Sequence, residues 1–287
     1  MDVLSAVLPA VEESLRITAI IFVLMIAVEL AVLKYRDRII RLTSKNQFLS
    51  YIVSSFFGII PGCTGTFAMD SLYMSGLLGF GGIIAVMIAT AGDEAFLLIS
   101  MAATGKIAAA TVIYLTALLF VLGILGGLLA DLWVKRFRIR FCEKCGIINH
   151  RKAEFGLSHF VREHIYQHII RKHIWRIFVW ILASVVAVEL IQKYLGVISL
   201  TGMGAFYLLL AASIIGIAPL SGPNVLLIMM FSKGIVPFSV LLANSIVQDG
   251  HGLLPIMGFS IRDAVKIKAF NLAFGFLVGL ILLTLGL

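Results

Sequence analysis

The same interrupted apolar pattern occurs twice along the chain. Residues 58–65 read Gly-Ile-Ile-Pro-Gly-Cys-Thr-Gly, and residues 216–223 read Gly-Ile-Ala-Pro-Leu-Ser-Gly-Pro. In each copy a later apolar run is broken by a polar cluster, at 90–94 in the first and at 248–252 in the second. An offset of 158 residues aligns both the Pro-containing breaks and the polar clusters. Two apolar halves that are broken at matching places indicate a transporter built from an internal repeat.

The composition places these halves in a membrane. Hydrophobic residues make up 61% of the 287 residues and charged residues only 13%, whereas soluble domains carry about 25% charged residues. Several apolar runs approach the ~20 residues that cross a bilayer core. The chain lacks the polar surface of a soluble protein of this size, and the sequence therefore predicts an all-α integral membrane protein.

Hydrophobic runs divide the chain into about ten transmembrane segments, five in each half. Segments that follow a Pro/Gly break are short, and the polar clusters interrupt long helices, so several helices are predicted to be broken at membrane depth. The predicted segments are residues 14–34, 46–61, 64–78, 79–104 and 107–133, followed by 174–193, 201–218, 221–232, 235–259 and 267–287.

Lys and Arg residues are concentrated in three stretches, at 34–45, 135–176 and 262–268. All three fall on one side when the chain is threaded from an external N-terminus, and the positive-inside rule assigns that side to the cytoplasm. Because each half has an odd number of segments, the halves have opposite orientations and form an inverted repeat. The predicted organisation is a first repeat at 1–134, a basic cytoplasmic loop at 135–173 and a second repeat at 174–287.

Acidic residues lie within or close to the apolar runs, and the sequence places no Lys or Arg in the same helical cores to pair with them. Each charge at mid-membrane costs about 2.5–3.5 kcal/mol on insertion scales. The acids therefore require a cation, a proton or a partner, and their excess favours a cationic substrate over an anionic one. They are Glu29, Asp70, Asp93, Glu94, Glu189 and Asp249.

The predicted substrate site gathers polar residues at the breaks. Most of their ligand atoms are oxygens, which suit Mg, Ca and Mn, and the imidazole of His251 shifts the preference towards Mn, Fe or Zn. Cys63 fits a small buried hydrophobe as well as a metal ligand. The predicted site residues are Asp93, Glu94, Asp249, His251, Gln248, Asn224, Cys63, Thr64, Ser221 and Asp70.

Two further groups of residues are assigned other roles. Glu29 and Glu189 occupy matching places in the two halves and are interpreted as proton carriers, metal ligands or protonated packing groups. The central loop contains a Cys-x-x-Cys pair and several histidines, which predict either a metal site or a basic amphipathic helix at the membrane surface. The candidate ligands in the loop are Cys142, Cys145, His150, His164 and His168.

Three motifs carry a resemblance to a known family. They read Pro-Gly-Cys-Thr-Gly-Thr-Phe at 61–67, Ala-Thr-Ala-Gly-Asp-Glu-Ala-Phe at 89–96 and Val-Gln-Asp-Gly-His-Gly at 247–252. With them the chain resembles, over nearly its whole length, the bacterial and archaeal ten-helix heavy-metal exporters, also described as manganese transporters or arsenic efflux proteins. The resemblance implies export of a divalent metal, with manganese favoured. We expect iron, zinc and cobalt as alternative substrates, the cell membrane as the location, and no required cofactor.

Other function classes fit the sequence less well. Lipid-pyrophosphate phosphatases also use inverted repeats with broken helices, but their chemistry needs cations on the phosphates, and neither Pro-containing break has an Arg. Arsenite favours thiols, and Cys63 is the one cysteine near the predicted site. No phosphate-binding motif of an ATP-driven pump occurs. The net charge of +8 is explained by the positive-inside rule for cytoplasmic loops rather than by nucleic-acid binding. We therefore expect a transporter and not an enzyme, with the lipid bilayer and a metal ion as partners and a homo-oligomer as an open alternative.

Overall fold

The computed structural model describes residues 14–23, 46–74, 76–137, 203–218 and 222–286, with positions 11, 12 and 26 and scattered helical positions between 174 and 186. Every regular element in these ranges is a helix. The first half contains α1 (Ser14–Val23), α2 (Gln47–Ile59), α3 (Thr64–Met74), α4 (Phe80–Ala89), α5 (Glu94–Ala103) and α6 (Ala109–Phe137). The second contains α7 (Met203–Ile215), α8 (Gly222–Ser232), α9 (Phe238–Val247), α10 (Leu254–Phe259) and α11 (Ile261–Thr284).

Three stretches of the described chain are long and apolar enough to cross a membrane. They are Phe80–Ala103, which joins α4 to α5, and the long helices α6 and α11. The shorter apolar helices of the described chain, α1, α2, α7, α8 and α9, are 10 to 13 residues long. This arrangement confirms the predicted all-α membrane protein.

Glycines with positive φ form the breaks between helices. Gly62 has a φ of 90° in the connection from α2 to α3. Gly92 interrupts the span after α4 with a φ of 52°, and Gly250 interrupts the span after α9 with a φ of 50°. Side chains other than glycine rarely adopt this left-handed conformation. The polar clusters at 90–94 and 248–252 thus break their helices as predicted, and both breaks contain a glycine in the left-handed conformation.

Helix α4 lies at the centre of the fold, and every one of its residues is buried. Asp131 on α6 fixes the start of this helix. Its carboxylate accepts the backbone N–H of Gly81 at 2.7 Å and also accepts hydrogen bonds from Tyr51 and Gln47 on α2. A carboxylate is favourable at a helix N-terminus, where backbone N–H groups have no partner within the helix. This contact ties α2, α4 and α6 together.

Glycines bring α6 against α4. A Cβ atom added at Gly123 would lie 2.7 Å from the carbonyl oxygen of Ala85, and one added at Gly127 would lie 2.6 Å from that of Gly81. Small residues at such crossings let two backbones approach closely, which is how helices associate where no hydrophobic effect drives them together.

The second half repeats this crossing between α11 and α9. A Cβ atom added at Gly275 would lie 3.1 Å from the carbonyl oxygen of Ala243, and one at Gly279 would lie 3.2 Å from that of Ser239. The α4 positions 81 and 85 correspond to these α9 positions at the offset of 158, and the α6 glycines correspond to the α11 glycines at an offset of 152. The halves also exchange contacts reciprocally, since α3 contacts α10 and α8 contacts α5.

The stretch 262–268 is not the basic loop that the sequence predicts. Ser260 caps α11 by accepting the backbone N–H of Asp263 at 3.3 Å, and the helix begins at Ile261. Arg262, Lys266 and Lys268 therefore lie in its first turns rather than before it. The predicted boundary at residue 267 was wrong because these charges lower the local hydropathy, whereas a Ser cap with an acid three residues later starts a helix.

Candidate metal site

Three potential metal ligands from three separate breaks converge between the halves. They are Cys63, Asp93 and His251, and one ligand atom of each lies within 4.8 Å of the others. The first two are buried and His251 is partly buried. The backbone N–H of His251 also donates a hydrogen bond to the Cys63 sulfur. A thiol, a carboxylate and an imidazole form a donor set typical of transition-metal sites.

The backbone holds these breaks together. The N–H of Gly62 donates to the carbonyl oxygen of Gly92 at 2.9 Å, so the break before Cys63 is joined to the break that contains Asp93. Asp93 and His251 are themselves equivalent at the offset of 158. Positions that the repeat makes equivalent, one from each half, therefore supply two of the three potential ligands.

Matching polar pairs flank the three ligands. The hydroxyls of Thr66 and Thr90 are 3.0 Å apart in the first half, and in the second half the Asn224 side-chain amide donates to Gln248 Oε1 at 3.0 Å. The offset of 158 relates Thr66 to Asn224 and Thr90 to Gln248. The repeat therefore preserves a hydrogen bond across each break while changing the residues that make it.

Glu94 is linked to the second half through Asn224. The Asn224 amide donates to Glu94 Oε1 at 3.3 Å, and Gln248 Oε1 also accepts the backbone N–H of Gly250 at 3.1 Å. Glu94, Asn224 and Gln248 are all buried. They form the polar end of a cavity of about 250 Å³ whose other walls come mainly from apolar residues of α5, α6 and α9. Pro61 and Ala91 also line it, each two residues from a candidate ligand.

Asp249 has a basic partner that the sequence interpretation did not supply. Lys268 Nζ lies 2.7 Å from Asp249 Oδ2, and Asn271 Nδ2 donates to Asp249 Oδ1 at 2.9 Å. Lys268 also donates to the carbonyl oxygens of Gly216 and Val247. The expectation that no basic residue accompanies the intramembrane acids is therefore wrong. Lys268 was assigned to a loop, but its charge is stabilised by these three acceptors inside the fold.

A known family accounts for nearly the whole chain. The family model described as "Putative, 10TM heavy-metal exporter" matches residues 10–175 and 148–284. The chain belongs to this family. No curated protein and no solved structure matches it. Membership confirms the resemblance carried by the three motifs, and it makes the chain a multi-pass membrane protein of a heavy-metal exporter family.

The remaining predicted site residues of this family member are not in the three-ligand cluster. Thr64 begins α3. Asp70, farther along α3, is completely buried, and among the described residues neither of its carboxylate oxygens has a hydrogen-bond partner. Several predicted residues lie outside the described part of the chain, namely Ser221, Glu29, Glu189, Cys142, Cys145, His150, His164 and His168.

Sequence reasoning missed four residues that shape the site of this family member, Thr66, Thr90, Lys268 and Asn271. The two threonines could have been found from the repeat, because each aligns with a residue already assigned to the site. Lys268 and Asn271 have no such signal. Their partner Asp249 is brought to them by tertiary contact between the 248–253 break and α11.

Proposed function

We propose that this protein exports a divalent metal cation and binds it between the two halves at Cys63, Asp93 and His251. The observation that carries the proposal is the convergence of three different ligand types, from three breaks, within 4.8 Å. Chance clusters of acids are usually exposed, whereas Cys63 and Asp93 are buried. A buried carboxylate beside a thiol and an imidazole gives a metal ion a charged ligand away from water.

The donor set bears on which metal is carried. The resemblance favours manganese, which prefers oxygen ligands. One sulfur, one nitrogen and one carboxylate oxygen match zinc, iron or cobalt better, and manganese is the weakest binder in the order of divalent transition metals. We therefore propose a transition-metal substrate of the zinc, iron and cobalt class, with manganese as the alternative that the experiment below must distinguish.

The proposed mechanism is alternating access by an inverted repeat. Three features support it: the equivalent glycine crossings, the reciprocal contacts between the halves, and the close approach of the equivalent residues Asp93 and His251. In repeat-built transporters a central site is exposed by moving one unit against the other. The proposed orientation has the N-terminus outside and the central loop in the cytoplasm, following the positive-inside rule. Proton coupling through Glu29 and Glu189 completes the proposal.

Metal binding by the purified protein in detergent tests the proposal, with zinc, cobalt and manganese in competition. Zinc and cobalt should bind more tightly than manganese. Cys63→Ser should lower the affinity for zinc more than for manganese, because a hydroxyl is a poor ligand for the softer ion. Cys63→Ser is compared with its parent in a background that carries Cys142→Ser and Cys145→Ser, so that the candidate ligands of the loop contribute no thiol to either protein. The background with Cys63 intact is the matched control and should bind zinc more tightly than the variant.

Transport in proteoliposomes completes the test. The parent protein should move the metal that it binds, and the Cys63→Ser variant should move zinc more slowly. Binding of anions alone would contradict the cation proposal. Tighter binding of manganese than of zinc, unaffected by Cys63→Ser, would remove the thiol from the ligand set and restore manganese as the favoured substrate.

A further inference from the structure

Two cavities occupy equivalent places in the two halves. The first is the cavity of about 250 Å³ described above, and the second, of about 350 Å³, lies beside α10 and α11. Their linings correspond at the offsets of the repeat. Ile59, Ala95, Ile99, Val112 and Thr116 line the first, and their equivalents Ile217, Leu253, Met257, Ala264 and Lys268 line the second.

The two cavities differ in where they end. The first extends to Glu94, Asn224 and Gln248, beside the proposed metal site. Among the described residues that line the second, Lys268 is the only polar one. Behind it stands Asp249, which is completely buried. The second cavity therefore stops at an ion pair, whereas the first reaches Glu94, the residue next to the proposed ligand Asp93.

The residues at this corner explain the difference. The first half has Ala91, Thr116 and Leu119 there, all of which line the first cavity. The equivalent residues of the second half are larger or charged and are bonded to one another: Asp249, Lys268 and Asn271. The inner end of the cavity is thus lined by small or apolar side chains in the first half and filled by a hydrogen-bonded ion pair in the second.

The filled corner also joins three elements. Lys268 on α11 donates to Gly216 O, just after α7, at 2.9 Å and to Val247 O, at the end of α9, at 2.8 Å. With the Asp249 carboxylate at 2.7 Å, its three ammonium hydrogens all have acceptors. A cation is also favourable at helix C-termini, where carbonyl groups have no partner within the helix. Separating α11 from these ends would strip a buried ammonium of every acceptor.

We propose that the Lys268–Asp249 ion pair is the closed gate of the second-half route to the metal site, and that the first-half cavity is the open route. This gate rests on the proposed function, because it regulates access to the same site. Movement of α11 away from the 248–253 break would withdraw Lys268 and open the second route, while the equivalent movement of α6 would close the first.

The experiment uses Cys63 as a reporter in the full chain. The chain has three cysteines, so Cys142→Ser with Cys145→Ser leaves Cys63 as the single thiol. A membrane-impermeant methanethiosulfonate reagent is applied, without metal, to right-side-out and inside-out vesicles. In this parent protein, which keeps Cys63 alone, labelling should be faster from one side of the membrane.

The test variant is Asp249→Ala with Lys268→Thr, which places in the second half the residue types found at Ala91 and Thr116 in the first. It should speed labelling from the slow side about tenfold or more, which corresponds to about 1.4 kcal/mol in the free energy of opening.

A matched control and a reverse variant complete the design. Lys266→Thr removes the more exposed partner of the Lys266–Asp263 ion pair of α11, which is 3.6 Å long, and keeps Asp263, whose carboxylate also accepts a hydrogen bond from Tyr73. This control should retain the parent pattern. Ala91→Asp with Thr116→Lys installs the gate residues in the first half, and should protect Cys63 from the side that is fast in the parent. If the first variant does not fold, the reverse variant decides the question.

The outcomes separate the gate from the proposed substrate. Faster labelling from the slow side, or protection by the reverse variant, supports the gate. Unchanged labelling in folded protein overturns it and leaves Lys268 as a neutralising partner of Asp249. Because the labelling uses no metal, the gate can fail while metal binding persists. A parent that binds no metal but shows the expected labelling would refute the proposed substrate alone.

Discussion

The helix crossings and the breaks between helices have diverged to different degrees in the two halves. The crossing of α4 with α6 uses glycines at the places where the crossing of α9 with α11 uses them. At the breaks, by contrast, Asp93 corresponds to His251 and Ala91 to Asp249. Two acids at the equivalent positions 93 and 251, whose ligand atoms lie within 4.8 Å, would repel at short range. The packing thus uses the same residue type in both halves, whereas the proposed metal site uses unlike residues at equivalent positions.

The largest predicted effect is the loss of metal affinity when a proposed ligand is replaced. Asp93→Asn keeps the shape of the side chain and removes its charge, and should lower zinc affinity more than about 100-fold, since even outer-shell partners contribute 10–100-fold. Equilibrium dialysis of purified protein measures this affinity. The control is Asp131→Asn, the same chemical change on α6, which should leave affinity unchanged. Parent-like binding by Asp93→Asn would place the metal elsewhere.

A change at a helix crossing should reduce stability instead of binding. In Gly127→Ala the new Cβ would lie 2.6 Å from the backbone oxygen of Gly81, so α4 and α6 must separate, at a cost of about 3 kcal/mol. Gly279→Ala should cost somewhat less, because its Cβ would lie 2.7 Å from the Cβ of Ala243 and 3.2 Å from the oxygen of Ser239 rather than 2.6 Å from a backbone oxygen. Thermal unfolding in detergent measures both.

Gly258 in α10 provides the control for these substitutions. A Cβ atom there meets nothing within 4 Å, and alanine is favoured over glycine in a helix by about 1 kcal/mol. Gly258→Ala should therefore leave stability unchanged or raise it. A Gly127→Ala variant as stable as Gly258→Ala would show that the crossing tolerates a wider spacing than the structure indicates.

An intermediate effect is expected at the contact that starts α4. The Asp131 carboxylate accepts hydrogen bonds from Gly81, Tyr51 and Gln47. In Asp131→Asn one acceptor oxygen becomes an NH₂ group, so a buried donor loses its acceptor and the free energy of unfolding should fall by about 2 kcal/mol. Tyr51→Phe removes a single donor and should cost less. Thermal unfolding reports the stability, and dialysis should show unchanged zinc affinity. Reduced affinity in Asp131→Asn would mean that the crossing and the site are coupled.

The smallest effect is expected at the hydrogen bonds that flank the ligands. Thr66→Val removes the bond to Thr90, but the Thr90 hydroxyl keeps its bond to Val86 O at 2.6 Å, so the cost should be about 1 kcal/mol or less. Asn224→Leu should cost more, since Asn224 donates to both Gln248 and Glu94. Thermal unfolding measures both losses of stability. Equal losses in Thr66→Val and Asn224→Leu would mean that these hydrogen bonds contribute equally to stability in the two halves.

Local composition made most of the helices and their breaks predictable. Proline, glycine and polar clusters interrupt apolar runs, and glycine alone tolerates the positive φ found at Gly92 and Gly250. The start of α11 was not predictable in this way, because hydropathy treats Lys268 as part of a loop. Its burial depends on Asp249 and on carbonyl groups at the ends of other helices, which no local pattern reveals.

The site was predictable where the repeat constrains it. Asp93 and His251 occupy equivalent positions, and the structure brings their ligand atoms together with Cys63. Their roles as ligands stay predictions. The different surroundings of Glu94 and Asp249 were not predictable, because Glu94 bonds to Asn224 across the halves whereas Asp249 has an ammonium ion as its neighbour. Both are acids after an apolar run, and only tertiary contacts distinguish them.

The broken span of α4 and α5 has a consequence for how the protein is made. Of its most apolar window, 89% is buried inside the protein, against 33% for α6 and 28% for α11. The principal packing partners of this span are α2, which is made before it, and α6, which is made after it. During synthesis the span must therefore first be accommodated by lipid or by the insertion machinery, and it exchanges that surface for protein when α6 arrives. We expect the nascent span to depend on cellular quality control until α6 has been translated.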